Sequence, residues 1–424
     1  MNSFCFNASN PILNPDLKIH LQRVCNGNQL ERSMEVSVQW RTPARRKSVM
    51  PIVTAAQLRA ALPCTTHVSQ LVHQTQASLS RILRGQQDRL AVIVGPCSIH
   101  ERESALDFAR RLAALRIRYA DTLEIVMRVY FEKPRTTLGW KGWINDPDLD
   151  GTFRVEEGLR GARRLLLDIG EAGLPAATEF LDLMTVAYLE DLVAWGAIGA
   201  RTTESQIHRQ IASGLAAPIG FKNGTDGNVR VAIDAVRTAR APHHFLAPSD
   251  TGPLEVHETF GNPDGHVVLR GGKATNYDSH SVDDACRQLR EAGLPPCVVV
   301  DASHGNSGKQ ARGQILACED IGRQIRNGRR EIAGVMLESH LVEGRQDVQT
   351  GRSLIYGQSI TDACLGWTDT VDLIDYLAAC VTTRRQRDNA TVHTTVSALD
   401  AALRGVPASS MPHAQAAARQ SALS

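Results

Sequence analysis

The sequence has few aromatics: Phe, Trp and Tyr make up only 5% of its 424 residues, which leaves no platform for stacking nucleic-acid bases. It also lacks an excess of either charge. Lys and Arg number 47 against 45 Asp and Glu, a formal net charge of +2, so bulk charge implies no polyanionic partner and local clusters must carry any anion binding. No apolar run approaches the ~20 residues of a membrane span. Residues 1–33 lack the continuous apolar core of a secretory signal. The nine cysteines (Cys5, Cys25, Cys64, Cys97, Cys286, Cys297, Cys318, Cys364 and Cys380) are odd in number, dispersed and without a C-x-x-C pair. That excludes a zinc ribbon or thioredoxin motif and points to a reduced, cytoplasmic setting.

What is present is an ordinary globular composition, 42% hydrophobic and 22% charged, with enough apolar side chain for a large core. Residues 1–50 show no sustained periodicity, hold a basic knot at 41–47 and read as a flexible arm, with Met34 an alternative start. Over 54–84, Leu58, Leu62, Val68, Leu71, Leu79 and Ile82 fall at roughly helical spacing and predict a helical extension. Residues 386–424 are rich in Ala, Ser and Thr, contain Pro407 and Pro412, and read as a mobile tail with at most a short helix around 396–403.

Within 51–385, short apolar runs alternate with helix-like stretches. The runs fall at 90–95, 123–129, 174–178, 196–200, 217–221, 266–269, 296–300 and 332–337. The helical stretches fall at 103–118, 156–171, 186–195, 204–213, 228–240, 281–292 and 313–327. Continuous apolar strands between helices indicate a parallel sheet buried on both faces. Eight such units favour closure into a (β/α)8 barrel, the TIM-barrel class of α/β fold. Residues 242–260 carry two short extended runs around Pro248-Ser249-Asp250-Thr251-Gly252, which predicts an inserted β-hairpin.

Barrels of this class gather their chemistry where the strands end. The first run leads into Gly95-Pro96-Cys97-Ser98, and the second ends at Arg128 and continues to Lys133-Pro134-Arg135-Thr136. The next three deliver Glu179, Arg201 and Lys222; the sixth ends at Arg270, followed by Gly271-Gly272-Lys273. The seventh reaches Asp301 and His304, the eighth Glu338 and His340. Any one of these alone reads as a polar cap where a strand meets water. Together, Arg128, Lys133, Arg135, Arg201, Lys222 and Arg270 would repel one another at a single mouth unless anions bind there. Arg matches the oxygens of carboxylate or phosphate with a planar fork, and Lys adds a point charge. So many cations exceed the needs of one monophosphate and suit two phosphorylated substrates, or one bearing both phosphate and carboxylate. Cys97, His304, Glu338 and Asp362 form a second constellation, a mixed thiolate, imidazole and carboxylate set suited to a divalent transition metal. It has no short-range motif spacing and rests on the barrel. Singly, Cys97 reads as a buried hydrophobe, His304 as a hydrogen-bonded core residue and Asp362 as a helix cap.

The segments GPCSIH (95–100), MRVYFEKPRTTLGWKGWINDPDLDG (127–151), GAIGARTTESQIHRQIASGL (196–215), GFKNGTDG (220–227), LRGGK (269–273), DASHGNS (301–307), ESHLVEG (338–344) and SITDACLGW (359–367) resemble a known family. Over roughly 50–385 the chain is similar to microbial 3-deoxy-D-arabino-heptulosonate 7-phosphate (DAHP) synthases, the feedback-regulated type I class. The resemblance implies condensation of phosphoenolpyruvate with erythrose 4-phosphate and water, releasing phosphate, at the head of aromatic amino-acid biosynthesis. It implies a divalent metal, Mn2+ or Fe2+, on Cys97, His304, Glu338 and Asp362. Phosphoenolpyruvate would be surrounded by Arg128, Lys133, Glu179, Arg201, Lys222, Arg270 and His304. Erythrose 4-phosphate would meet Pro134, Arg135 and Thr136, and Lys133 or His304 would assist proton transfer.

The family further implies an aromatic amino-acid effector and a homodimer or homotetramer. The expected effector lining is Phe180, Leu215, Phe245, Ala247 and His257, completed by a neighbouring subunit's arm. Here that arm is basic, lacking the acidic pair expected to receive an effector's amino group. Val186-Ala187 stands for a Pro-Gln pair, and Ala247 occupies a Ser position. These departures point to Trp or Tyr rather than Phe. Two other readings are a sister synthase using a different aldose, which the KPRTTLGWKG loop opposes, and a catalytically silent barrel that senses aromatic amino acids.

Overall fold

The computed structural model describes residues 19–23, 34–38, 49–135, 137–349 and 351–403; the basic knot at 41–47, Thr136, Pro407 and Pro412 lie outside them. The chain divides into two compact units, Met1–Ile52 and Val53–Ser424. In the first, β1 (Ile19–Arg23) pairs antiparallel with β2 (Met34–Val38), Ile19 opposite Val38. Each is a five-residue alternation, too short to stand out in an otherwise unpatterned arm.

The second unit begins with the expected helical extension over 54–84, made of two helices, α1 (Ala55–Ala61) and α2 (Thr66–Leu83). Pro63 cannot continue the first, and Thr65 starts the second by accepting the Val68 amide at 3.2 Å. The repeating part runs β3 (Leu90–Gly95), α3 (Arg102–Arg118), β4 (Leu123–Arg128), α4 (Val155–Glu171), β5 (Ala176–Glu179), α5 (Val186–Leu189), β6 (Val193–Ile198), α6 (Gln206–Gly214), β7 (Ile219–Lys222) and α7 (Arg230–Ala239). The hairpin β8 (His244–Pro248) and β9 (Leu254–Glu258) interrupts it where expected, with Phe245 opposite His257. Then follow β10 (His266–Leu269), α8 (Ser279–Glu291), β11 (Val298–Asp301), α9 (Gly313–Arg326) and β12 (Ile332–Glu338). Eight parallel strands close in the order β3-β4-β5-β6-β7-β10-β11-β12, and β12 pairs back onto β3 from Gly334/Ala91 to Glu338/Gly95. The fold is a (β/α)8 barrel.

One helix is misplaced by periodicity. Residues 186–195 read as helical, but α5 ends at Leu189, a 3-10 turn covers Glu190–Leu192, and Val193 already begins β6. Every residue of β6 is buried, so the strand lacks the alternation that would distinguish it from a buried helix.

Side chains on β3 alternate between two cores. Leu90, Val92 and Val94 pack outward against the helices. Ala91 and Ile93 point into the lumen with Val126, Ala177, Val268, Val299 and Met336. Leu79, Ile82 and Leu83 of α2 belong to that lumen cluster, so the helix plugs the amino-terminal end of the barrel. Nearby, Trp195 Nε1 donates to His266 Nε2 at 3.2 Å, and burial pushes this imidazole down to about 4, keeping it neutral. The opposite end is left to polar loops and to the short pair β13 (Val342–Arg345) and β14 (Gln358–Ser359). Helix α10 (Trp367–Leu403) then runs through position 385 and encloses the expected helix at 396–403. Arg384 and Arg385 tie it to Asp88, and Asp388 pairs with Arg330. No helix among the described residues is long and apolar enough to cross a membrane.

Candidate active site and metal centre

Because the eight strands run parallel, their final residues meet at one rim. Cys97 follows Gly95-Pro96 at the end of β3, Glu338 closes β12, and Asp362 comes from the loop after β14. The ligand atoms of these three residues all lie within 4.8 Å of one another. Cys97 Sγ is 3.5 Å from Asp362 Oδ2 and accepts the Asp362 amide at 3.4 Å. His304 Nε2 lies 3.7 Å from Glu338 Oε1. Its Nδ1 is 2.9 Å from Asp301 Oδ2 and 2.7 Å from Ser303 Oγ, so a buried carboxylate orients the ring and leaves Nε2 facing the cluster. This backbone is strained: His304 is a non-glycine residue at φ +56°.

The donor set of one thiol, one imidazole and two carboxylates fits a divalent transition metal. Burial, reinforced by Glu338, pushes the Cys97 thiol up to about 11, with Lys133 opposing. A cation is what converts such a buried thiol into a thiolate ligand. Asp362 in the set, and Asp301 behind the His304 ring, are held in the charged form. Burial would raise Asp301 and Asp362, but His304 and Lys222 hold Asp301 well below the usual range, and Lys133 and His304 lower Asp362.

The cations surround this cluster. Arg128 is fully buried, donating to Glu338 Oε1 at 3.0 Å and to the carbonyls of Pro96 and Cys97 at 3.2 Å, with its guanidinium 3.5 Å from the Tyr130 ring centroid. Lys133 Nζ reaches Cys97 Sγ at 3.1 Å, and Lys222 Nζ reaches Asp301 Oδ2 at 3.0 Å. Arg270 is half-buried; burial lowers its pKa, and among the nearby charges Arg201 lowers it further. Two cations that disfavour each other at one rim are the arrangement an anion relieves. Glu179 lies at the end of β5, and its Oε1 is buried with no hydrogen-bond partner among the described residues. A Cβ on Gly199 would fall 2.2 Å from that oxygen. Gly199→Ala is therefore expected to swing the Glu179 carboxylate aside and lower kcat/KM by about 10²-fold. The fold should survive, because the displaced atom ends a flexible side chain; steady-state kinetics and a thermal melt check both parts.

The 133–141 segment leaves the rim as a closed excursion. The Lys133 amide donates to the Lys141 carbonyl at 2.9 Å, and Glu132 bridges to Gly142, whose φ of +117° and position against the Phe131 carbonyl admit only glycine. Pro134 is half-buried at its base, and Arg135 is exposed near the tip, its Nε on the Trp140 carbonyl at 2.7 Å.

With this geometry the chain can be compared with known proteins. Residues 67–375 match the model of the DAHP synthetase I family. The chain belongs to that family. Among its curated relatives, the Trp-sensitive phospho-2-dehydro-3-deoxyheptonate aldolase of Shigella flexneri is 54% identical over 340 residues, covering 80% of this chain and 98% of that protein. The Phe-sensitive aldolase of Escherichia coli K12 is 52% identical over 341 residues, covering 80% and 97%. A solved phospho-2-dehydro-3-deoxyheptonate aldolase from Francisella tularensis SCHU S4 is 46% identical, with a TM-score of 0.79 over 80% of this chain and 99% of that one.

In this DAHP synthetase I chain the expected effector residues form two groups. Phe180 and Leu215 line a cavity of about 360 Å3 with Arg59, Cys64, Val72 and Glu190. Phe245, Ala247 and His257 sit on the hairpin outside that lining, with the Phe245 and His257 rings 5.7 Å apart. His340, delivered beside Glu338, turns away and packs at ring distances of 6.1 Å from His100 and 6.2 Å from Phe108.

Asp301, singled out at its strand end without a role, and three asparagines of the rim act on other protein groups. Asp301 anchors both Lys222 and His304. Asn223, Asn276 and Asn306 lace the loops after β7, β10 and β11: Asn223 receives the Arg270 amide at 2.8 Å, Asn276 the Gly271 amide at 2.7 Å, and Asn306 the Asn276 amide at 2.8 Å. Gly271, at φ +70°, lets these loops touch, since a Cβ there would meet the Asn306 amide nitrogen at 2.6 Å. The position of Asp301 at a strand end, two residues before Ser303-His304, was the available clue.

Proposed function

We propose that the chain condenses phosphoenolpyruvate with D-erythrose 4-phosphate and water to give DAHP and inorganic phosphate, the first step toward the aromatic amino acids. The observation that carries this reading is the rim itself, where Arg128, Lys133, Lys222 and Arg270 adjoin a Cys97/Glu338/Asp362 cluster. A divalent metal, Mn2+ or Fe2+, held by Cys97, His304, Glu338 and Asp362, supplies Lewis acidity toward the aldehyde when bound.

The chain's own residues do the rest. Arg128, Lys133, Arg201, Lys222 and Arg270 neutralise the carboxylate and phosphate of phosphoenolpyruvate, and Arg135, with Pro134 and Thr136, receives the second phosphate. Two anions that repel in water are thereby held together, a contribution of proximity and electrostatics. The enol carbon of phosphoenolpyruvate bonds to the aldehyde carbon, and water oxygen adds to the adjacent carbon, releasing one proton that makes good the one given to the new alkoxide. Phosphate then leaves from the hemiketal by C–O cleavage and carries off the hydroxyl proton as the ketone forms. Of the proton-transfer pair Lys133 and His304, Lys133 is the donor toward the new alkoxide. Burial works to lower its pKa, but Cys97, once it is a thiolate, and Glu338 outweigh burial and keep it protonated. Glu179, with its unpartnered Oε1, accepts a hydrogen bond from a bound molecule.

The same reading includes feedback inhibition by an aromatic amino acid, Trp or Tyr, at the Phe180, Leu215, Phe245, Ala247 and His257 region. It also includes a cytoplasmic homodimer or homotetramer, with residues 1–50 as an arm and 386–424 as a tail. Near-equal identity to Trp-sensitive and Phe-sensitive relatives leaves effector choice to the pocket residues. Phosphate release from both substrates, repeated with Phe, Tyr and Trp separately, tests the proposal. Release is expected to need both substrates and to stop on chelation; a metal-replete sample that releases none overturns the reading.

A further inference from the structure

Glu132 lies between the two substrate regions and contacts neither. It is buried, 5% exposed, and its backbone bridges to Gly142 at the base of the 133–141 excursion. Its side chain crosses to the turn after β5. There Oε2 accepts the Asp182 amide at 3.4 Å and the Thr185 hydroxyl at 3.2 Å. Thr185 Oγ1 is also 2.8 Å from the Asp182 carbonyl, so the turn closes around the same carboxylate. One side chain thus joins the segment carrying Lys133, Pro134 and Arg135 to the segment that leaves Glu179.

The choice of a carboxylate is physically costly. The charged groups that face it are Asp182 on the turn and Glu179 on β5, both acidic, while its neighbour Lys133 points away to Cys97. A glutamine would accept the same two hydrogen bonds without that repulsion. Burial first, and Asp182 next, push the Glu132 carboxyl up to about 7, within the neutral range where the enzyme would work. A tie whose charge changes near neutrality makes the loop it anchors pH-sensitive. The rest of the excursion has little to replace it, since Arg135 Nε bonds within the excursion and the tip is exposed.

We propose that Glu132 is a positioning residue that clamps the 133–141 loop to the turn after β5, so that its deprotonation loosens the erythrose 4-phosphate site while the phosphoenolpyruvate cradle stays in place. The cradle stays because Arg128, Lys222 and Arg270 are anchored on strand ends by Glu338, Asp301 and the asparagine lacing. This inference rests on the proposed assignment of the loop to erythrose 4-phosphate.

The test compares wild type with Glu132→Gln between pH 6 and 8.5. At pH 8 the variant, which keeps the acceptor without the charge, is expected to lower KM for erythrose 4-phosphate about five-fold, with kcat and KM for phosphoenolpyruvate within about two-fold. The ratio of variant to wild-type KM should rise toward one at pH 6, where wild-type Glu132 is itself protonated; taking the ratio cancels titration of the substrate phosphate. A ratio that stays flat with pH, or an equal loss in kcat, overturns the proposal. Thr185→Val, which removes one donor, should raise KM for erythrose 4-phosphate about two-fold and carries the test if Glu132→Gln fails to fold. Amide exchange over 133–141 is a readout independent of activity. Greater protection in the variant at pH 8, and protection in wild type that falls as pH rises through 7 once the intrinsic base-catalysed rate is divided out, is expected, and unchanged protection counts against the clamp. Wild type that turns over beside an indifferent variant sinks this inference alone, whereas wild type that never turns over sinks the functional reading.

Discussion

Replacing Cys97 with alanine is expected to lower turnover by at least about 10³-fold, on the order of what one electrostatic element of a reaction centre contributes. The thiol is fully buried, its sulfur faces Asp362, Lys133 and the Asp362 amide, and Glu338 completes the cluster. Alanine removes a soft donor that neither carboxylate can replace, leaving a harder and incomplete set. Metal retained after dialysis should fall from stoichiometric to near none. Stability should change by only about 1 kcal/mol, since one sulfur atom is lost and Lys133 Nζ keeps the Cys97 carbonyl at 3.4 Å. Metal analysis and a thermal melt on the same sample separate loss of the ion from loss of the fold. Full activity with undiminished metal content would remove Cys97 from the proposed ligand set.

The fold was legible because the barrel strands are continuous apolar runs and their flanking helices are amphipathic. Two runs, 90–95 and 266–269, coincide with β3 and β10. Where the reading slipped, burial erased the distinction. Leu189, Leu192 and Val193 sit at spacings that suit a helix, and only the closed sheet requires Val193 to pair with Ala176. The helical extension over 54–84 was legible from apolar spacing, and Pro63 with the Thr65 cap sets where its two helices divide. At the site, the cations were legible as a group because so many strand-end charges of one sign need a reason. The carboxylates and asparagines that aim them were less so. Asp301, Glu132 and Asn223 act on other protein groups, and Lys222, Asp182 and Arg270, which they hold, lie tens of residues away in sequence. The expected effector set divides for a related reason: Phe180 and Leu215 are placed by the barrel wall, whereas Phe245, Ala247 and His257 follow the inserted hairpin.

Arg128→Met should show how far the rim depends on mutual neutralisation. Arg128 and Glu338 form an ion pair with almost no solvent access, 0% and 2% for the two side chains. Such a pair is weak evidence for net stability, but removing one partner strands the other charge and costs about 3–5 kcal/mol. The metal-free variant is therefore expected to melt about 5–10 °C below wild type. Metal should narrow the gap, because a divalent ion beside Glu338 restores positive charge. Catalysis should not recover with it. The fork that Arg128 presents toward the rim is gone, and kcat/KM for phosphoenolpyruvate is expected to stay about 10³-fold down at any metal concentration. Adding Glu338→Gln removes the stranded charge, so the double variant should regain most of the lost stability while remaining inactive. If the double variant is no more stable than Arg128→Met alone, the loss came from packing on Tyr130, 3.5 Å away, rather than from the unpaired carboxylate.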